Sequence, residues 1–369
     1  MRMINVIFMR KIYLLILSVL ILSVLINSQF VLMSKPLAAY KKDSLWYFVD
    51  YQGKELFEPK KLQNVIGFSE DYFCVSMIVD GKEKWGFLDT TGKFIIEPQF
   101  YKAQLFSEGF AVVLENDYQL GSDIKLKFID KNGKRINHDD LLDGLSFSEG
   151  FAYVFTEDRR SGYIDKTGNF VLDIKNLIGG RFREGYAAVT DENMNAGFIN
   201  KNGEMIVPTR YESVKNYSEG LAAVCKNSKY DFIDVNGKVR IDGDFDLVKE
   251  FKEGRAFVGV LFPQTLRSLW GIIDTSGKIV KDMSFSEVFD FSEGLAAVCD
   301  SLKWGFVDLT GNYFLEPQFT YCASFIDGIA WVSKRNEGVY GFINKKGDFI
   351  LKFDNFEKMI DLRLNKRMY

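Results

Sequence analysis

The chain has 369 residues, 47% hydrophobic and 26% charged, a globular composition that argues against wholesale disorder. Its net charge is −3, and beyond residue 33 it is −6, from 44 basic against 50 acidic residues. That mildly acidic body argues against nucleic acid or anionic lipid as a main partner, because both demand a basic face.

The first element along the chain is the apolar run 12–33, preceded by Arg10 and Lys11. As a helix rising 1.5 Å per residue it would span about 33 Å, enough for a hydrocarbon core of about 30 Å. Its most apolar part, 12–26, has the length of a signal-peptide core, with Met9-Arg10-Lys11 as a compact positive start. Ala38 and Ala39 are small, as a cleavage site wants, but Pro36 and Leu37 stand where a second small residue is needed. Residues 1–39 are therefore expected to be a signal peptide or a signal-anchor transmembrane helix. Positive charge ahead of the run keeps the N-terminus inside and sends the body out. The expected location is extracytoplasmic, membrane-anchored or secreted, with membrane contact through this segment alone.

Residues 40–351 are a repeat array. Gly53, Gly92, Gly133, Gly168, Gly203, Gly237, Gly277, Gly311 and Gly347 recur 34 to 41 residues apart, and a fixed period of this size marks stacked supersecondary units. Such units also explain the length, since a single core stops growing at about 250–300 residues. One unit reads Lys-Trp-Gly-Phe-Leu-Asp-Thr-Thr-Gly-Lys-Phe-Ile-Ile-Glu-Pro-Gln-Phe (84–100), a linker, then Phe-Ser-Glu-Gly-Phe-Ala-Val-Val (106–113). Three short strands per unit are expected, with eight full units and a ninth half between residues 46 and 350.

The repeated acids have a backbone explanation. Asp50, Asp89, Asp130, Asp165, Asn200, Asp234, Asp274, Asp308 and Asn344 each precede a turn glycine by three. Asx opens a type I turn and Gly supplies the positive φ that follows it in a bulged hairpin. A calcium site would need several acids converging on one loop, and each turn offers one. Glu108, Glu149, Glu184, Glu219, Glu253 and Glu293 recur once per unit before a second glycine. They are expected to accept N–H bonds within their own turns; catalysis would need two in one pocket.

The apolar positions point to packing. Phe48, Phe87, Phe128, Tyr163, Phe198, Phe232, Phe306 and Phe342, with Ile272 in the seventh unit, form a column expected to glue unit to unit. On strand two, Phe94 and Ile96 are expected to oppose Ile95, with both sheet faces covered. Pro59, Pro98, Pro208 and Pro317 are expected to end that strand, since Pro cannot donate to a ladder. Gly86, Gly271 and Gly305 are expected to let another backbone approach. The four cysteines read as buried free thiols.

These residues resemble the bacterial WG (KWG) repeat, most closely in 84–113 and 303–332, over residues 46–350. Leu126, Ser161, Ala196 and Tyr230 depart from the motif by replacing its Trp. The resemblance implies an all-β, often exported repeat protein, and it carries over no catalytic or cofactor motif.

The expected fold is all-β, an open, curved stack of small sheets favoured over a closed propeller-like ring. The chain begins and ends on the same half-unit, and a ring would need complementary halves. The tail 352–369 is expected to form a cap, as a short helix. Three connections from strand three to the next strand one are long, and all should project from one edge. They make Tyr118, Asp123, Phe262, Pro263, Leu266 and Arg267 the candidate partner-binding residues.

The expected function is a non-catalytic binding or scaffold surface for a protein or a cell-envelope polymer, without cofactor or metal. The alternatives are a carboxylate-only glycan hydrolase and a plain structural spacer. His138, the only histidine, reads as a solvated loop residue, so His-based triads find no support.

Overall fold

The computed structural model describes residues 35–115, 126–136, 141–262, 264–265, 267–354 and 356–367. The apolar run 12–33 and His138 lie outside them. Within them the chain forms nine antiparallel sheets in sequence order, eight of four strands and one of three. Counting round the molecule, sheets 2 to 9 occupy residues 64–100, 102–130, 141–173, 178–211, 213–245, 247–285, 287–319 and 321–353. Sheet 1 is assembled from both ends of the array. Leu45–Asp50 pairs with Pro36–Lys42, whose other edge takes Lys358–Asp361, which in turn takes Lys366–Arg367.

Eight of the nine sheets thus have a strand more than the sequence pattern suggests. A leading strand of two residues, such as Ser213–Val214 or Leu247–Val248, precedes the Glu-Gly turn in most units. The second and third strands form the long central hairpin, for example Leu221–Lys226 with Lys229–Asp234. The fourth, such as Met205–Tyr211, is the outlying edge.

The core lies between sheets. Nine buried clusters each join two neighbours, and the ninth interface closes the circle: Ala323, Ile329, Trp331 and Phe342 of sheet 9 pack against Leu37, Ala38, Val49 and Met359 of sheet 1. The next cluster joins sheet 1 to sheet 2 through Trp46, Phe48, Phe73 and Leu88. The architecture is therefore the closed ring, and the open stack is corrected. The complementary halves exist: Ala38 and Ala39 pair with Val49 and Phe48 as Ala222 and Ala223 pair with Ile233 and Phe232. Lys358 and Met359 then supply the leading strand opposite Lys41 and Tyr40. The tail is strand here, and no helical cap forms over 358–367. Ala38 and Ala39, candidates for a cleavage site, are fully buried core.

The aromatic column is buried at every position, with no member more than 1% exposed. Six of the rings meet the aromatic of the next unit's Glu-Gly turn: Phe87 lies 4.7 Å from Phe106, Phe198 4.7 Å from Tyr217, and Phe306 4.6 Å from Phe325, centroid to centroid, with Phe128, Tyr163 and Phe232 alike. Geometry of this kind adds to the area buried.

The Asx turns form as expected. Asp89 Oδ1 accepts from Thr91 N at 2.9 Å and Lys93 N at 3.0 Å, while Gly92, at φ +80°, donates its N–H to Asp89 O. The close approach at Gly86 is also real: a Cβ there would sit 2.5 Å from Ile96 O and 2.7 Å from Pro98 N.

The fourth strand departs from expectation. Phe94 packs toward sheet 1 and Ile96 toward sheet 3, while Ile95 is 40% exposed. Register shifts between Trp85, Phe87 and Leu88 break the alternation. Pro98, Pro208 and Pro317 lie inside these strands rather than after them. An outer edge with a bulge has no ladder partner waiting for the missing N–H.

Candidate functional site

The ring has two ends of different character. One carries the Glu-Gly and Asx turns, and the other carries the hairpins joining second to third strands.

At the turn end the glutamates work between units, not within their own. Ser107 N and Phe110 O are 2.8 Å apart across a tight turn whose central residues, Glu108 and Gly109, have φ of +54° and +92°. Glu108 Oε1 and Oε2 accept from Glu149 N and Gly150 N, the second at 2.9 Å. The pattern repeats: Glu70 receives Gly109 N, Glu149 Gly185 N, Glu184 Glu219 N and Gly220 N, Glu219 Gly254 N, Glu253 Glu293 N and Gly294 N, and Glu293 Gly328 N. Lysines from the following sheet join in four places: Lys131 on Glu70, Lys166 on Glu108, Lys201 on Glu149 and Lys345 on Glu293, at 2.9–3.3 Å. Ser107, Ser148, Ser218 and Ser292 each donate to the carbonyl of the next unit's turn aromatic. Desolvation alone would push the Glu108 carboxyl up. The N–H of Gly150, the Lys166 ammonium and the N–H of Glu149 outweigh it and hold that carboxyl below the ordinary glutamate range. These carboxylates are engaged as acceptors between neighbouring sheets.

At the hairpin end, the described residues that flank each of the three connections belong to the second and third strands of one sheet. Tyr118, Asp123, Pro263 and Leu266 lie outside the described residues. Phe262 and Arg267 are described: they face each other in register across the hairpin of sheet 7, and both are exposed. Phe262, Arg267 and Ser268 line a groove of about 900 Å³ with Glu287, Ser301 and Leu302 of sheet 8. Leu302, on the neighbouring hairpin tip, is 89% exposed, and Leu261 is 40% exposed.

Ser268, Ser286 and Glu287 also line a second cavity of about 680 Å³ that continues over sheets 6, 7 and 8. Its aromatic wall is Tyr230, Trp270 and Trp304, the same repeat position in three successive units, together with Phe289. Phe289 stacks on Trp304 with centroids 5.2 Å apart. Lys215, Asp246, Lys249, Glu250 and Asp290 supply the polar lining. Lys229 Nζ stands 2.8 Å from Asp246 Oδ1, and Leu261 N donates to Asp246 Oδ2 at 2.9 Å; both hold that carboxyl below its usual range. Lys249 Nζ lies 3.5 Å from Asp290 Oδ1, and Asn216 Nδ2 donates to Glu250 at 3.4 Å. Sequence reasoning found the outer rim at Phe262 and Arg267 through loop length, and missed Trp270, Phe289 and Leu302. The signal was present in the repeat itself: aromatic residues hold the Trp position in these units, while Ser161 and Ala196 hold it in sheets 4 and 5.

A closed ring of nine radially stacked small antiparallel sheets, with a groove across its hairpin end, is a nine-bladed β-propeller. A family profile described as the WG containing repeat matches seven times, at residues 85–118, 162–193, 197–230, 232–260, 270–300, 304–337 and 340–361. The chain belongs to the WG-repeat family. No curated protein is similar to it in sequence. Among solved structures, a eukaryotic initiation factor aligns over 88% of this chain and 98% of its own, at 11% identity and TM-score 0.61. BamB from Moraxella catarrhalis aligns over 80% of this chain and 87% of its own, at 12% identity and TM-score 0.40. At such identities the first likeness speaks to the fold alone.

Among the described residues no helix is long and apolar enough to cross a membrane, and no His, Cys, Asp and Glu cluster has the arrangement of a metal site.

Proposed function

We propose that this propeller is a non-catalytic binding or scaffold protein that works outside the cytoplasm, held there or sent there by the segment ahead of Pro36. Its working surface is the groove at the hairpin end of blades 7 and 8, facing a protein or a cell-envelope polymer. The observation that carries this reading is the groove itself, where Phe262 and Leu302 are exposed at its rim on two successive hairpin tips. Exposed apolar residues grouped at a cavity mouth are characteristic of contact surfaces. A hydrolase reading has less support, because the repeated glutamates are engaged as acceptors between blades.

The test is cross-linking on intact cells with the full chain as bait. Phe262→Ser combined with Leu302→Ser is expected to abolish capture of partners without moving the unfolding midpoint. Undiminished capture by that double variant would remove the groove from the function. Fractionation of the same cells tests the location, and recovery of the chain in the cytoplasm would remove the export half of the proposal.

A further inference from the structure

We infer that the inner cavity over blades 6 to 8 is a subsite for an uncharged glycan chain. This rests on the reading of the groove as the working surface, and it names the ligand chemistry.

The cavity presents aromatic rings in step. Tyr230, Trp270 and Phe289 are half-buried, each leaving part of its ring on the cavity, and buried Trp304 backs Phe289. Tyr230 and Trp270 occupy equivalent repeat positions on adjacent blades, and packed sheets lie about 10 Å apart. A wall that repeats in this way suits a ligand that also repeats. Flat rings with polar groups beside them suit the amphipathic faces of pyranose units, whose C–H surface can stack while their hydroxyls reach outward.

The ionic groups decide the charge of the ligand. Asp246 is matched by Lys229 and Asp290 by Lys249, and Glu250 takes the Asn216 amide. With Lys215 and Glu287 also on the lining, three cations face four anions, a net charge of −1 that offers no basic face to an anionic chain. These groups still offer acceptor lone pairs and donor N–H groups to hydroxyls. An extended peptide is served less well. The leading strands at this site, Leu247–Val248 and Glu287–Val288, have only two residues each, too short an edge for strand addition. The cavity, at about 680 Å³, also falls within the range of small-ligand sites, roughly 300–1,000 Å³.

The test is calorimetric titration and tryptophan fluorescence of the full chain with cellohexaose and chitohexaose, with oligogalacturonate as a charged comparator. Saturable binding of at least one neutral oligosaccharide is expected, weakened at least tenfold by Trp270→Ala and by Asp290→Ala. The second variant lies on a half-buried polar position and keeps the test valid if the first disturbs folding. Trp85→Ala, at the same repeat position on a different blade, is expected to bind as the parent does. No saturation by either neutral glycan at millimolar concentration overturns the inference, as does equal affinity in the Asp290 variant, or a preference for oligogalacturonate. Loss of cross-linked partners in the rim variants together with no glycan binding would sink the glycan while leaving the groove's role in place.

Discussion

Replacing Glu108 by Gln tests the inter-blade carboxylates directly. Glu108 holds two N–H groups of the next blade and one lysine, with its side chain 30% exposed. Glutamine keeps one acceptor oxygen and turns an NH2 toward the second N–H, so one charge-assisted bond is lost and one donor is left facing a donor. Bonds to charged groups contribute about 1.5–3 kcal/mol when well desolvated, and the exposed lysine pair adds about 0–1 kcal/mol. For a partly exposed site this amounts to about 2 kcal/mol. Unfolding entropy of roughly 2.1 cal/mol/K per residue gives about 0.7 kcal/mol/K for a ring of this size, so the midpoint should fall by about 3 °C. The sign with pH follows from the depressed carboxyls of Glu108 and Glu149. A folded value below the unfolded one contributes stability that is complete above the ordinary glutamate range, about 4.3, and is lost as pH falls through the folded value. The parent should therefore lose stability below about pH 5, and the Glu108→Gln variant should lose less of it. The assay is thermal unfolding by circular dichroism at pH 7 and pH 4, with Glu157→Gln on a hairpin tip as control. A midpoint at pH 7 equal to the control's would refute the inter-blade role of this carboxylate.

Other substitutions separate strain from contact. Gly220 has φ +75° and open space around its missing Cβ, whereas a Cβ at Gly305 would meet Leu315 O at 2.5 Å. Gly220→Val should cost about 1–3 kcal/mol through backbone conformation alone, and Gly305→Ala should cost more, measured as denaturant midpoints. Arg363→Ala leaves Asp361, which is 0% exposed, without the guanidinium that pairs with it at 2.6 Å. Breaking a buried pair from one side costs about 3–5 kcal/mol, so this variant should show early proteolysis at the junction of blades 9 and 1. The four thiols, Cys74, Cys225, Cys299 and Cys322, are free and buried. They should react with a bulky thiol reagent only at the rate of unfolding, and fast reaction of the native chain would contradict the packing.

What could be read along the chain was whatever is local. The turn acids, the turn glycines and the aromatic column each involve partners a few residues away or a repeated position, and each stands where the pattern put it. Distance hid the rest. The acceptor role of Glu184 depends on Glu219 and Gly220, 35 and 36 residues later, and no spacing within one turn reveals it. A two-residue strand such as Ser213–Val214 is too short to show alternation. The closed ring left a trace that was overlooked: Leu37-Ala38-Ala39 repeats Leu221-Ala222-Ala223, a second strand without a first. At the site, loop length pointed to Phe262 and Arg267. The inner rings were hidden because Trp270 and Trp304 read equally well as core.

Sheet 1 carries a consequence for biogenesis. Its second strand, Pro36–Lys42, emerges from the ribosome before any other part of the ring, and its partner Lys358–Asp361 emerges only after all eight other sheets. Until then Pro36–Lys42 carries an open edge, and the circle behaves as a broken hoop with two sticky ends. Damage to Lys358–Asp361 is thus converted into failure of the first blade, at the opposite end of the array in sequence.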